Sequence, residues 1–148
     1  MAIIKEMKFK ISSVIVNLNQ SGLPEGTPER NEISVVGFYK INGEDYEIDY
    51  SENTEGGKVI STIEISSQSV RVVRRGAVES EMVFAEGKSH SSVYTVVPYS
   101  FDTVVTCKRI RCGLDNNGGR LDIFYDMNIG GADKSVRMRI DCSPAEEK

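Results

Sequence analysis

From Lys8 to Ile140 the chain alternates apolar and polar residues with period two, in runs broken by Gly, Pro, Asn, Asp and Ser. No window carries a sustained 3.6-residue apolar repeat. Period two sends successive side chains to opposite faces, so each run predicts a strand with one dry side. Ten strands are expected: Lys8–Leu18, Glu32–Ile41, Glu44–Glu52, Lys58–Ser66, Ser69–Arg75, Glu79–Glu86, Ser91–Val97, Phe101–Arg111, Arg120–Ile129 and Lys134–Asp141. The segment Asn19–Asn31 carries Gly22, Pro24, Gly26 and Pro28 among polar residues and reads as one long loop. Ser143–Lys148 reads as a flexible tail.

Directly opposed residues of a hairpin share a face, which makes each turn testable. A type I′ turn at Asn42-Gly43 pairs Tyr39 with Tyr46, Gly37 with Ile48, Val35 with Tyr50 and Lys40 with Asp45. A turn at Ser67-Gln68 pairs Ile65 with Val70, Ile63 with Val72 and Glu64 with Arg71. A four-residue loop at Gly130-Gly131-Ala132-Asp133 pairs Met127 with Val136, Tyr125 with Met138, Ile123 with Ile140 and Asp126 with Arg137. Short sequential hairpins, each with one apolar face, predict an all-β, single-domain, antiparallel and mostly up-and-down barrel of about 8–10 strands over residues 1–148, with a two-sheet sandwich as the alternative.

At 148 residues the chain has the size of one ordinary domain. Its net charge of −4 gives no bulk attraction to nucleic acid or an anionic membrane. No segment approaches a membrane span, and Met1-Ala2-Ile3-Ile4-Lys5-Glu6 lacks a signal-peptide stretch, so a cytoplasmic location is expected. Cys107, Cys112 and Cys142 form no zinc pattern and read as free thiols. Five residues apart, Cys107 and Cys112 are expected on opposite strand faces, and neither a metal nor a cofactor is expected.

The residues Gly37-Phe38-Tyr39-Lys40-Ile41-Asn42-Gly43, Tyr46 through Tyr50-Ser51-Glu52, Arg74-Arg75-Gly76-Ala77-Val78 and Gly119-Arg120-Leu121-Asp122-Ile123-Phe124-Tyr125-Asp126-Met127 fall in a specific order and spacing. In these, from about Ser13 to Ile140, the chain resembles the YwiB-like family of bacterial β-barrel proteins. The resemblance implies a calycin-like, lipocalin-like barrel in the cytoplasm, and it carries no activity or site residues.

Arg74 stands out because parity points it inward. The Ser67-Gln68 turn sets it opposite Ser61, a turn at Gly76-Ala77-Val78 sets Ser80 across from it, and a turn at Thr54–Gly57 aligns Tyr50 with Ser61. The expected result is a polar row, Tyr50, Ser61, Arg74 and Ser80, in an interior that also holds Tyr46, Phe84 and Tyr125. A buried guanidinium needs an anion, acceptors or water, so a small, largely apolar ligand with a carboxylate is one reading. The other is a guanidinium at the barrel mouth with its head in solvent. The ligand reading requires a cavity on the order of several hundred Å³ reaching Arg74.

Catalysis is not expected. His90 reads as part of an exposed turn after Gly87, and nothing ties it to Cys107 or Asp102. Asp45, Glu47 and Asp49 share the outer face of one strand and lack a calcium loop. The basic clusters at Arg71/Arg74/Arg75, Lys108/Arg109/Arg111 and Lys134/Arg137/Arg139, with Phe124 or Tyr99 nearby, offer a strip for single-stranded nucleic acid. Glu64 opposite Arg71, Glu79 opposite Arg75 and Asp126 opposite Arg137 match several of these charges, so nucleic-acid binding is the weakest of the readings. A filled barrel that meets a partner or a second copy through Val36, Phe38 and Phe124 is the alternative to ligand binding.

Overall fold

The computed structural model describes residues 2–145. Ten antiparallel strands follow one another around a closed barrel: β1 (Ala2–Leu18), β2 (Pro24–Asn42), β3 (Asp45–Thr54), β4 (Gly57–Ile65), β5 (Val70–Gly76), β6 (Val78–Phe84), β7 (Ser89–Val96), β8 (Tyr99–Asp115), β9 (Gly118–Ile129) and β10 (Ala132–Pro144). β1 pairs with both β2 and β10, so the sheet has no free edge and the sandwich is excluded. Among the described residues no helix is long and apolar enough to cross a membrane.

Alternation dictates the interior. Phe9, Tyr39, Ile48, Ile63, Val72, Phe84, Ile123 and Ile140 come from eight different strands and are all fully buried in one core. Burying such side chains contributes about 1.5–3 kcal/mol each, which is what selects one face of every strand.

Several boundaries and registers differ from expectation. β1 begins at Ala2, pairing Ala2 through Lys8 with Asn42 through Val36. The long loop expected at Asn19–Asn31 shrinks to residues 19–23. Asn19 Oδ1 accepts from the N–H groups of Ser21 and Leu23, closing a tight turn, and Pro24 to Asn31 extend β2 as an exposed ribbon. Ser143 and Pro144 end β10, Ala145 follows it, and residues 146–148 of the expected tail lie outside the described residues.

The turn around Gly43 is Gly43-Glu44, with Asn42 opposite Asp45, Tyr39 opposite Ile48 and Lys40 opposite Glu47. Only Gly43 has positive φ there, which suits a type II′ turn; a type I′ turn at Asn42-Gly43 needs positive φ at Asn42 as well. The β9–β10 turn is two residues, because Gly130 and Gly131 both take positive φ. Asn128 Nδ2 donates to Asp133 at 2.8 Å and draws Ala132 and Asp133 into the ladder. Tyr125 therefore meets Val136, Ile123 meets Met138 and Leu121 meets Ile140. Both corrections are slips of two residues, so every face is preserved. The Ser67-Gln68, Thr54–Gly57 and Gly76–Val78 registers stand as expected.

A slip of one residue occurs inside β8, where a bulge between Cys107 and Arg109 changes the pairing with β9. It turns Ile110, Cys112 and Leu114 toward the side that Val105 and Cys107 occupy, so the two cysteines share a face instead of opposing each other. His90 lies on β7 opposite Val105, partly buried, not in an exposed turn. Outside, Arg71 bridges Glu64 and Glu81, and Lys40 bridges Glu47 at 3.1 Å and Asp49 at 3.2 Å. Asp126 takes Lys108 at 3.1 Å, since the β9–β10 slip sets Arg137 opposite Phe124. Among the described residues no ion pair joins Arg75 to Glu79. Val36 and Phe38 are half-exposed neighbours on β2, while the register carries Phe124 across Arg137 and Val14 to Arg30, far along that strand, so Phe124 is not part of their patch.

Candidate functional site

The row expected around Arg74 forms. Tyr50 of β3 lies opposite Ser61 of β4, Ser61 opposite Arg74 of β5, and Arg74 opposite Ser80 of β6. The short ladder between β6 and β7 pairs Val78 with Val96 and Glu79 with Thr95, which brings Tyr94 alongside Ser80 as the next position of the row. Arg74, Tyr50 and Tyr94 line a cavity of about 550 Å³ at the end of the barrel that holds the β1–β2, β3–β4, β5–β6 and β9–β10 turns. Its apolar wall comes from Ile11, Ile15, Ile33, Met82, Val136 and Met138, and Tyr125 lies across it.

Three polar atoms of the row are buried without a partner: Arg74 Nε, Ser61 Oγ and Ser80 Oγ. All three can donate, and an orphaned buried donor costs about 1–3 kcal/mol. Tyr125 is a fourth donor. Burial pushes its phenol up to about 12, against the opposing pull of the Arg74 guanidinium nearby, so it keeps its proton at neutral pH. Arg74, Tyr50, Tyr94 and Tyr125 line the cavity while Ser61 and Ser80 stand behind its lining, so the cavity meets fixed positive charge and phenol donors, the chemistry that receives an acceptor-rich anion. Glu52 stands one inward position beyond Tyr50 and lines the mouth with Glu29 and Glu32. Glu32 is held by Lys10 at 3.6 Å.

Two expected members occupy other places. Phe84 is fully buried beneath the cavity, its ring 4.5 Å from that of Tyr125, and supports the wall without lining it. Tyr46 lies at the opposite end of the barrel, stacked on Tyr39 at 5.4 Å beside the Ser66–Ser69 turn. It shares parity with Tyr50, but four residues of strand separate them by about 13 Å. The residues that sequence reading missed are Tyr94 and the apolar wall of β1 and β2. Tyr94 was accessible from alternation once β7 was registered on β6, but that hairpin has no two-residue turn signal to fix it.

A second cavity of about 570 Å³ lies around Tyr46 at the other end, with no orphaned buried polar atom among its lining residues. The three cysteines are unpaired, and burial raises the thiols of Cys107 and Cys142, the latter to about 12, holding them neutral. His90 Nδ1 is buried without a partner on β7. Among the described residues no group of three or more His, Cys, Asp or Glu side chains converges as a metal site.

Comparison with known proteins agrees with this architecture. The chain is 31% identical over 106 residues to the "Uncharacterized beta-barrel protein YwiB" of Bacillus subtilis (strain 168), covering 72% of this chain and 75% of that protein. The crystal structure of the ywiB protein from Bacillus subtilis superimposes with a TM-score of 0.77 at 26% identity, over 93% of this chain and 92% of that one. Residues 14–140 match the family described as "Domain of unknown function (DUF1934)", and with a ten-strand barrel closed over that same span, the chain belongs to this β-barrel family.

Proposed function

We propose that the protein is a non-enzymatic binding protein of calycin-like design that takes a small, largely apolar carboxylate in the cavity at Arg74. The observation that carries this reading is the orphaned set Arg74 Nε, Ser61 Oγ and Ser80 Oγ on three adjacent strands beside a cavity of about 550 Å³. A carboxylate accepting from Arg74, the member of this set that lines the cavity, restores a hydrogen bond that burial removed, and the wall of Ile, Val and Met receives its hydrocarbon. The neutral thiols of Cys107 and Cys142 support binding over nucleophilic catalysis. Unpaired cysteines also suit a cytoplasmic setting, which belongs to the same proposal. Nucleic acid fits less well, because Arg71, Lys108, Arg120 and Arg139 are engaged by acidic neighbours.

The test is native mass spectrometry of freshly purified protein, alone and with decanoate as probe. The wild type is expected to carry a bound carboxylate and Arg74→Met to lose it while keeping its circular dichroism spectrum. Equal binding by Arg74→Met overturns the assignment. A second reading, self-association, is favoured by the half-exposed Val36 and Phe38 on the outer face of β2. Sedimentation of the wild type against Phe38→Ser decides it: a dimer lost in the variant supports it, and a wild-type monomer removes it.

A further inference from the structure

The β7–β8 hairpin extends the cavity wall beyond the barrel. Tyr94 lines the cavity, and alternation sets Val96 on the same face. Phe101 is the cross-strand partner of Tyr94, and Tyr99 is that of Val96, so four apolar or aromatic side chains share the cavity side of this hairpin. In a filled barrel such positions are covered, yet Val96 is 39% exposed, Phe101 41% and Tyr99 66%. The hairpin is also lightly tied to the body. On the β6 side the ladder holds two residue pairs, Val78–Val96 and Glu79–Thr95. On the other side β8 leaves β9 above Thr103, where the N–H of Gly130 donates to Asp102 O at 2.9 Å and Phe101 rests against Gly130.

We propose that this face of the β7–β8 hairpin is the docking surface for the hydrocarbon tail of the ligand whose carboxylate is held at Arg74, and that the preferred ligands are monocarboxylates too long for the cavity alone. The inference rests on the carboxylate reading above. The surface is continuous with the cavity through Tyr94, and it is uncharged, with Val96, Tyr99 and Phe101 carrying no ionic group. A tail leaving the apolar wall at Met82 and Tyr94 meets these residues next, and laying it there removes hydrocarbon from water on both partners.

The test compares hexanoate and dodecanoate binding by isothermal titration calorimetry. The wild type is expected to prefer dodecanoate. In the Val96→Ser/Tyr99→Ser double variant that preference should shrink by about tenfold, with hexanoate affinity within about twofold of wild type. Val93→Ser, on the opposite face of the same hairpin, should keep the full preference. Both positions are exposed, and the retained hexanoate affinity reports an intact site. An unchanged preference in the double variant overturns the proposal, as does a wild-type dimer that the double variant dissolves with the preference intact, which would assign the surface to a second copy. If the wild type binds neither probe, or Arg74→Met binds hexanoate as tightly as wild type, the carboxylate reading fails and this one with it.

Discussion

At the scale of single residues, Arg74 and Tyr125 define the electrostatics of the cavity. The phenol of Tyr125 is raised to about 12 chiefly by burial, while the unfolded chain releases the same proton near 10. Between these values the folded protein binds more protons than the unfolded one, so stability is full below pH 10 and falls as pH rises through 12. The loss is of the order of 2–3 kcal/mol. Ultraviolet titration of the wild type against Tyr125→Phe should isolate a phenol ionising near 12. Because the guanidinium opposes the shift, Arg74→Met should move that ionisation still higher; an unchanged or lower value would contradict the contact. The Arg74 row was legible in sequence because parity and three local turns suffice to place Tyr50, Ser61, Arg74 and Ser80. Tyr46 was misgrouped because parity reports a face and says nothing of height along the barrel.

At the scale of elements, the faces were readable and the turns were not. Gly43 and the Gly130-Gly131 pair each announce a tight turn, but which residues flank it depends on φ at one neighbour and, for Asn128, on a side-chain hydrogen bond to Asp133. The β8 bulge carried a visible signal. Val105 and Cys107 are odd-numbered and inward, Ile110 and Leu114 even-numbered and inward, and the adjacent cations Lys108-Arg109 mark where parity changes. The bulge frees the N–H of Ile110, which donates to the Glu86 carboxylate at 3.0 Å. Lys108→Ala should therefore cost at most about 1 kcal/mol, the worth of its exposed ion pair with Asp126. Glu86→Ala should cost about 1 kcal/mol through the lost acceptor. Lys108 is the extra residue of the bulge, so deleting it restores strict alternation with Cys107, Ile110, Cys112 and Leu114 still inward and every pair with β9 kept, and urea denaturation should show the variant still folding cooperatively. A deletion variant that fails to fold cooperatively would show that the bulge does more than absorb one extra residue between two inward-facing runs.

At the scale of the whole molecule, closure distributes the backbone ladder unevenly. β1 and β10, the first and last strands, join through eleven residue pairs, whereas β6 and β7, neighbours in sequence, share two. Sequence alternation makes all ten strands equivalent and leaves this difference hidden, because it arises from how the β6–β7 turn sits. Gly87 N–H donates to Cys107 O at 2.8 Å and Cys107 N–H to Lys88 O at 3.0 Å, pulling the start of β7 toward β8 and away from β6. Backbone amides exchange with solvent through local openings whose cost follows the interactions broken. The seam between residues 80–84 and 90–94 is therefore the lowest-energy opening of the barrel. Hydrogen exchange under native conditions should show the amides of β7 and of the β6 edge losing protection first and those of Phe9, Ile11, Ile123 and Ile140 last. Because Met82 and Tyr94 flank the seam and line the cavity, a carboxylate held at Arg74 should slow exchange there more than in β1 or β10. Uniform protection around the barrel, or a ligand effect confined to β1 and β10, would place the opening elsewhere.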